Sequence, residues 1–366
     1  MIKVGMVGVG AISGIYLKNL TNVFREVELV AVCDLIRERA EKAQAEYQVP
    51  KLYDTMYELF ADPEIDLVLN LTRPYEHFEV TRAALLAGKH VYTEKPLAAT
   101  FEEGQQLVSL AQEKGLMLGG APDTFMGAGI QTCRKLIDDG YIGTPIGAAA
   151  FMICRGHETW HPDPAFYYQH GGGPMLDMGP YYVTALINLL GGVKSVTGIA
   201  RTSFPERVIS SQPLAGQVVK VEVPTYVTGM LEFESGATGT LFTTFDVYSE
   251  TQPRFEVYGS QGTMIVPDPN TFGGPIRLLR PEQKEFREMP LCFDYAENSR
   301  GLGLADMAKS IETGRPCRAG WQQTLHALEI MTAFERSSGK RAAVDLSTRF
   351  IREAPMKHNP LHGILD

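Results

Sequence analysis

At 366 residues the chain is longer than one hydrophobic core usually serves, so two domains are expected. Hydrophobic residues make up 44% and charged residues 21%, an ordinary globular balance, and the formal net charge is -9. That acidity, with no local run of Lys and Arg, argues against nucleic acid as a partner, and the lack of a long apolar window argues against a membrane span. Cys33, Cys133, Cys154, Cys292 and Cys317 are widely spaced and form no CxxC pair, which reads as reduced thiols in a cytoplasmic protein. The apolar N-terminus is broken by Gly5, Gly8 and Gly10 and reads as a strand, not as a secretory leader.

In chain order, residues 2–7 form an apolar strand, followed by a Gly-rich turn and a helix to about residue 20. Residues 28–33 form a second strand and 37–47 a charged helix. A strand at 66–71, a helix at 75–87, a strand at 90–93, a helix at 101–114 and a strand at 116–120 complete the series. Short unbroken apolar strands alternating with amphipathic helices predict a doubly wound parallel sheet covered on both faces. The pattern then changes. A helix at 130–138 precedes strands at 147–155, 195–202, 225–233, 237–248, 254–258, 262–266 and 276–280, with one long helix inserted at 180–190. Strands following strands predict an antiparallel sheet, and helical periodicity returns at 304–313 and 324–337. The expected division is an α/β domain at 1–122, an α+β domain at 123–346 and a tail at 347–366.

Gly8, Gly10, Ala11, Ile12 and Ser13 spell G-x-G-x-x-S between the first strand and the first helix. Gly8 permits the tight turn, Gly10 lets backbone approach a pyrophosphate at the helix N-terminus, and Ser13 is a small substitute for the third glycine. This is a Rossmann dinucleotide pattern in its required strand–turn–helix context. Asp34, ending the second strand, is placed to accept the ribose hydroxyls of NAD and to repel a 2′-phosphate; a helix N-cap is its bland alternative. Arg37 and Arg39 follow, so NADP is disfavoured without being excluded. Thr72 and Pro74 follow the third strand, at the ligand-facing edge.

Glu94-Lys95-Pro96 follows the next strand at the same edge. A lysine there can hydrogen-bond a hydroxyl or carbonyl oxygen and stabilise charge as hydride moves, where the plain alternative is a surface ion pair. The turn motif, Asp34, Ala87-Gly88-Lys89-His90-Val91, Glu94-Lys95-Pro96 and the segment from Gly171 to Gly179, in this order, resemble the Gfo/Idh/MocA oxidoreductase family. The resemblance implies a Rossmann domain followed by a large, open, mostly antiparallel sheet, NAD or NADP as cofactor, and a sugar, inositol or related polyol as substrate. It also implies homodimers or homotetramers built on the open sheet. Against the family pattern D-x-G-x-H, Asp177 and Gly179 match, Tyr181 stands at the histidine position, and Thr184 stands where an acid is usual. Tyr181 is then the expected acid/base group, unless it only packs and hydrogen-bonds substrate. Asp177 is expected to bind substrate hydroxyls and orient Lys95, with a helix cap as its alternative.

His157-Glu158-Thr159-Trp160-His161 spells H-E-x-x-H, but Gly156 precedes it and Pro162 and Pro164 follow, so a zinc-binding helix is not expected and no metal is assigned. The stretch reads better as a substrate loop, in which Trp160 and Tyr168 stack on a sugar ring and Arg155, His157 and His161 bond its hydroxyls. A packed aromatic loop is the alternative. Asp123 faces the pocket or caps the next helix, and His326 is structural. The expected activity is direct hydride transfer between the nicotinamide and a hydroxyl or carbonyl, with Tyr181 or Lys95 handling the proton. An NAD-retaining, redox-neutral glycosidase and a non-catalytic NAD- or sugar-binding protein are the rival functions.

Overall fold

In the computed structural model the N-terminal apolar run becomes β1 (Ile2–Val7), at the centre of a six-stranded parallel sheet. Residues 1–248, 254–357 and 361–366 are described. They fall into two units: Met1–Gly127 with Phe293–Leu325 and Glu353–Asp366, and Ala128–Cys292 with His326–Arg352.

In the first unit β1 is followed by α1 (Ser13–Asn22), β2 (Val27–Cys33), α2 (Arg37–Tyr47), β3 (Lys51–Tyr53) and α3 (Met56–Ala61). Then come β4 (Leu67–Asn70), α4 (His77–Leu86), β5 (His90–Thr93), α5 (Phe101–Glu113) and β6 (Leu118–Gly120). The strand order β3-β2-β1-β4-β5-β6 reverses between β1 and β4, which opens a crevice at the carboxyl ends of the strands. Val4, Met6, Val32, Val68, Leu69 and Val91 are buried, as strands covered on both faces require. β3 and α3 have no counterpart among the elements expected from sequence. β3 is an edge strand, half-buried throughout and opening on Lys51, so it makes no apolar run, but α3 opens with a capping box, Thr55 accepting from the Glu58 N–H and Glu58 from the Thr55 N–H.

The second unit contains α6 (Ala128–Asp138), β7 (Pro145–Ile153), α7 (Gly173–Asp177), α8 (Gly179–Leu190) and β8 (Val193–Arg201). A small hairpin of β9 (Glu206–Val208) and β10 (Val218–Lys220) follows. Next are β11 (Tyr226–Phe233), β12 (Thr238–Thr244), β13 (Arg254–Gly259), β14 (Gly262–Ile265), β15 (Ile276–Leu279) and β16 (Arg287–Met289). The chain then forms α9 (Leu302–Thr313) of the first unit, α10 (Trp321–Lys340), and β17 (Val344–Asp345) of the second. The second sheet has nine strands in the order β16-β15-β14-β13-β7-β12-β11-β8-β17. Every pairing is antiparallel except β7 with β12. Helix α8 is buried on all sides and packs on β7 and α6, so its apolar character does not alternate. Phe334 of α10 comes so close to Gly198 and Gly229 that a Cβ at either would collide with its ring. The other face of the sheet leaves Ile199 and Met230 60% and 58% exposed.

The expected boundaries at 122/123 and 346/347 differ from the observed grouping, and specific bonds account for it. The Asp123 carboxylate accepts the backbone N–H groups of Gly301 (2.9 Å) and Gly303 (3.0 Å) at the start of α9. Arg318 pairs with Asp306 and Asp366, and the Leu365 N–H donates to Glu26. Glu329, in the second unit, accepts the backbone and hydroxyl groups of Ser347 and Thr348. The stretch expected as a tail is therefore tied to both units, with Phe350, Met356 and Leu365 buried; residues 358–360 lie outside the described residues.

Candidate active site

The first unit places its candidates at the carboxyl ends of β1, β2, β4 and β5. Gly8 has φ +94°, and a Cβ there would stand 2.8 Å from the Leu71 carbonyl carbon and oxygen, so both conformation and space demand glycine. Gly10 is exposed, and a Cβ there would meet nothing within 4 Å. The turn is held from inside: the Ser13 hydroxyl donates to the Gly10 carbonyl at 2.7 Å. Helix α1 has no side-chain cap, which leaves first-turn N–H groups for an anion beside Ala11 and Ile12.

Asp34 is not the N-cap of α2; that position is Ile36. Its Oδ2 accepts the Val9 N–H at 2.6 Å and its Oδ1 the Ile36 N–H at 2.8 Å. The carboxylate is thus fixed beside the glycine turn, and each oxygen retains acceptor capacity for a ribose hydroxyl. Arg37 is already paired with Glu41 and Asp54, which compete with any phosphate for its charge. Burial, with the Asp34 charge beside it, pushes the Cys33 thiol up to about 11, so it stays protonated.

The Glu94–Lys95 segment is anchored on buried partners. Glu94 Oε1 accepts the Tyr16 hydroxyl at 2.7 Å and Oε2 the Lys95 N–H at 2.9 Å. Burial and the Glu94 charge hold the Tyr16 phenol well above its usual range, so it remains a donor. His77 lies between the carbonyls of Pro96 (2.6 Å) and Thr72 (3.1 Å) and ties the loop after β4 to the loop after β5; burial lowers its pKa. Buried Asn70 accepts from the Thr72 N–H and hydroxyl and donates to Thr81. Pro74 opens a short 3-10 turn after Thr72. Tyr16, Asn70 and His77 were not singled out from sequence. Each is a buried polar group on a helix or strand, and only its partner gives it meaning.

Asp123 does not cap the helical turn that follows it; its carboxylate is taken up by the start of α9. It is 1% exposed and closes α9, and burial raises its pKa to about 6 against the pull of those two N–H groups.

In the second unit Asp177 ends α7, and Tyr181, on the first turn of α8, is buried. His157 Nε2 stands 3.2 Å from Asp177 Oδ2. Residues 157–161 form a turn, not a helix, and Glu158 is consumed by Arg207 and Tyr168. Trp160 is 61% exposed, with its indole N–H donating to His157 Nδ1 at 3.2 Å. His161 accepts the Asp163 N–H and packs on Phe166 and Tyr167. The Arg155 guanidinium lies over the rings of Phe204 and Tyr248, each 4.9 Å from its centroid, with Nη1 at 3.4 Å from the Asp246 carbonyl. Tyr168 corrects the expectation of sugar stacking: it is completely buried, and its hydroxyl serves Glu158 and the His157 N–H. His326 is buried between the Val193 N–H and the Thr348 hydroxyl, a structural place.

A parallel sheet in this strand order, with a bare glycine turn and an acid fixed at the end of β2, defines a Rossmann-type dinucleotide-binding domain. Residues 2–120 match the family model for the oxidoreductase family with an NAD-binding Rossmann fold, and 130–265 match the GFO/IDH/MocA C-terminal domain. The chain belongs to the Gfo/Idh/MocA oxidoreductase family. A 1,5-anhydro-D-fructose reductase of Ensifer adhaerens is 30% identical over 65% of this chain and 68% of its own. The D-xylose dehydrogenase of Paenarthrobacter nicotinovorans is 23% identical over 85% of this chain and 84% of its own. A levoglucosan dehydrogenase in complex with NADH and L-sorbose shares the fold, with a TM-score of 0.81 and 20% identity over 95% of this chain and 99% of that one.

Proposed function

We propose that this protein oxidises a hydroxyl of a sugar, glycoside, inositol or related polyol to the carbonyl, or catalyses the reverse. Asp34 and the Gly8–Ser13 turn would hold NAD, which would supply the hydride acceptor for the substrate carbon. Lys95 donates a hydrogen bond to the reacting oxygen and offsets negative charge as it builds. Tyr181 accepts the hydroxyl proton, with Lys95 as the second candidate for that proton. Asp177 accepts hydrogen bonds from substrate hydroxyls, and Trp160 offers an exposed aromatic face for the ring. The observation that carries this reading is the anchoring of Lys95 by buried Glu94 at the edge of the sheet where the glycine turn lies. A surface ion pair would need no such anchor.

Asp34 favours NAD over NADP, and Arg37, engaged by Glu41 and Asp54, is poorly placed to reverse that preference. Copies of the chain pair through the open sheet face as a homodimer or homotetramer. Ile199, Met230, Tyr226, Phe242 and Phe151 share that face by strand register, and Phe242 packs against Tyr226 and Phe151. The five cysteines are all free, as suits a cytoplasmic protein. Among the described residues no helix is long and apolar enough to cross a membrane.

The deciding experiment is NADH formation across a panel of sugars, glycosides, inositols and sugar acids, with NADP in parallel. NADH accumulating with a polyol supports the reading. Sugar release from chromophoric glycosides without NADH would replace it with redox-neutral cleavage, and no exchange on any compound would leave a binding protein.

A further inference from the structure

The segment between β7 and α7 holds the imidazole of His157 beside Asp177 by a series of buried bonds. Gly156 has φ +51°, and a Cβ there would collide with the Glu158 carboxylate and the Tyr168 hydroxyl. Glycine therefore lets the Glu158 side chain fold back under the loop. There Glu158 accepts from the Tyr168 hydroxyl and from Arg207 Nη1 at 3.0 Å, while Arg207 also pairs with Asp246. The Tyr168 oxygen in turn accepts the His157 N–H at 3.2 Å. The Glu158 carbonyl takes the N–H groups of Ser210 and Ser211, so the β9–β10 hairpin region clamps the loop from outside.

The His157 ring is wedged against Tyr167 and Phe245, with centroids 4.2 and 4.6 Å away. Its tautomer follows from its neighbours. An indole N–H can only donate, and Trp160 Nε1 lies 3.2 Å from His157 Nδ1, so Nδ1 accepts. The proton of the neutral ring is then on Nε2, which points at Asp177 Oδ2 from 3.2 Å.

We propose that His157 is a positioning residue: its Nε2–H holds the Asp177 carboxylate in one orientation, so that the substrate hydroxyl meets an acceptor already aligned. The Glu158–Arg207 pair sets the place of the ring. The Nε2–H bond narrows the directions in which the carboxylate presents its lone pairs, and alignment of an acceptor with the reacting group raises effective concentration. This rests on the reading of Asp177 as a substrate ligand.

His157→Phe keeps the ring stack and removes the donor, whereas His157→Gln keeps a donor of similar reach. NADH formation is followed with D-xylose, myo-inositol and levoglucosan at saturating NAD. His157→Phe is expected to lower kcat/KM by about tenfold to a hundredfold and His157→Gln by no more than about threefold. NADH affinity and melting temperature stay at wild-type values in both. Wild-type turnover by His157→Phe, or equal loss in both variants, would overturn the proposal. Asp177→Asn separates the two levels. Wild-type turnover in that variant removes the reading of Asp177 itself, while impairment there beside a normal His157→Phe removes only the role of His157. If the wild type forms NADH with none of the three compounds, nitrogen-15 NMR of labelled histidine decides. An Nε2–H tautomer whose resonance moves in Asp177→Asn supports the contact; an Nδ1–H tautomer or an unmoved resonance overturns it.

Discussion

The glycine turn of the first unit and the His157 loop of the second are both candidate ligand sites, and they are built from different materials. At the turn, backbone does the work: Gly8 bends where no side chain fits, Gly10 is bare, and α1 offers uncapped N–H groups. At the loop, side chains do it: His157 meets both Trp160 and Asp177, and its N–H is held by Tyr168, which shares Glu158 with Arg207. A pyrophosphate common to many enzymes suits a backbone cradle, which only glycine permits. A substrate peculiar to one enzyme is read by side chains, and many combinations of those will serve.

The contrast is broken most severely at Lys95, the side chain proposed to carry the first unit's share of the chemistry. Lys95→Ala is expected to lower kcat by about a hundredfold to a thousandfold, with NADH affinity nearly unchanged by fluorescence titration. Retention of wild-type turnover would remove the lysine from the chemistry. Gly8→Ala tests the backbone half. The added methyl meets the Leu71 carbonyl at a φ of +94°, so a loss of about 1–3 kcal/mol in stability or NAD binding is expected in thermal melts and titrations. Ser13→Gly, which keeps a small residue, serves as the mild control.

Asp123 sharpens the comparison, because there a side chain completes backbone that the chain itself left open. Asp123→Ala strands two buried N–H groups and is expected to cost about 1–3 kcal/mol, whereas Asp123→Asn retains an acceptor and costs less. The pH dependence carries a sign. Burial raises this carboxyl from 3.8 to about 6, so the folded chain binds the proton more tightly than the unfolded one. Its contribution to stability grows as pH falls through that window and is lost as pH rises. Denaturant midpoints measured across the window should show this slope in the wild type and a flatter one in Asp123→Asn. The smallest effect is expected at Asp34. Asp34→Ser removes the repulsion of a 2′-phosphate and should raise the NADP-to-NAD ratio of kcat/KM by about tenfold, limited by the engagement of Arg37 with Glu41 and Asp54.

Much of the first unit was legible because its constraints are local. Buried parallel strands must be apolar throughout, so β1, β2, β4 and β5 stood out, whereas three-residue β3 did not. The Thr55–Glu58 capping box was a readable sign of α3 that periodicity alone passed over. In the second unit the strand series was readable, but the pairing of β7 with β12 was not, since parallel and antiparallel neighbours present the same alternation. Tyr168 shows the limit at the site: an aromatic in a Pro-rich loop looks like a ligand platform, and only its buried bond to Glu158 makes it a prop.

Sequence by itself determined the dinucleotide turn, the acid at the end of β2, the Glu94–Lys95 pair and the family, because each is fixed by neighbours along the chain. Tertiary structure decided that Asp123 closes a helix some 180 residues away, that Arg207 steadies a loop from a distant hairpin, and that an imidazole faces Asp177. Those choices depend on which buried polar group finds which partner, and chain spacing carries no record of that.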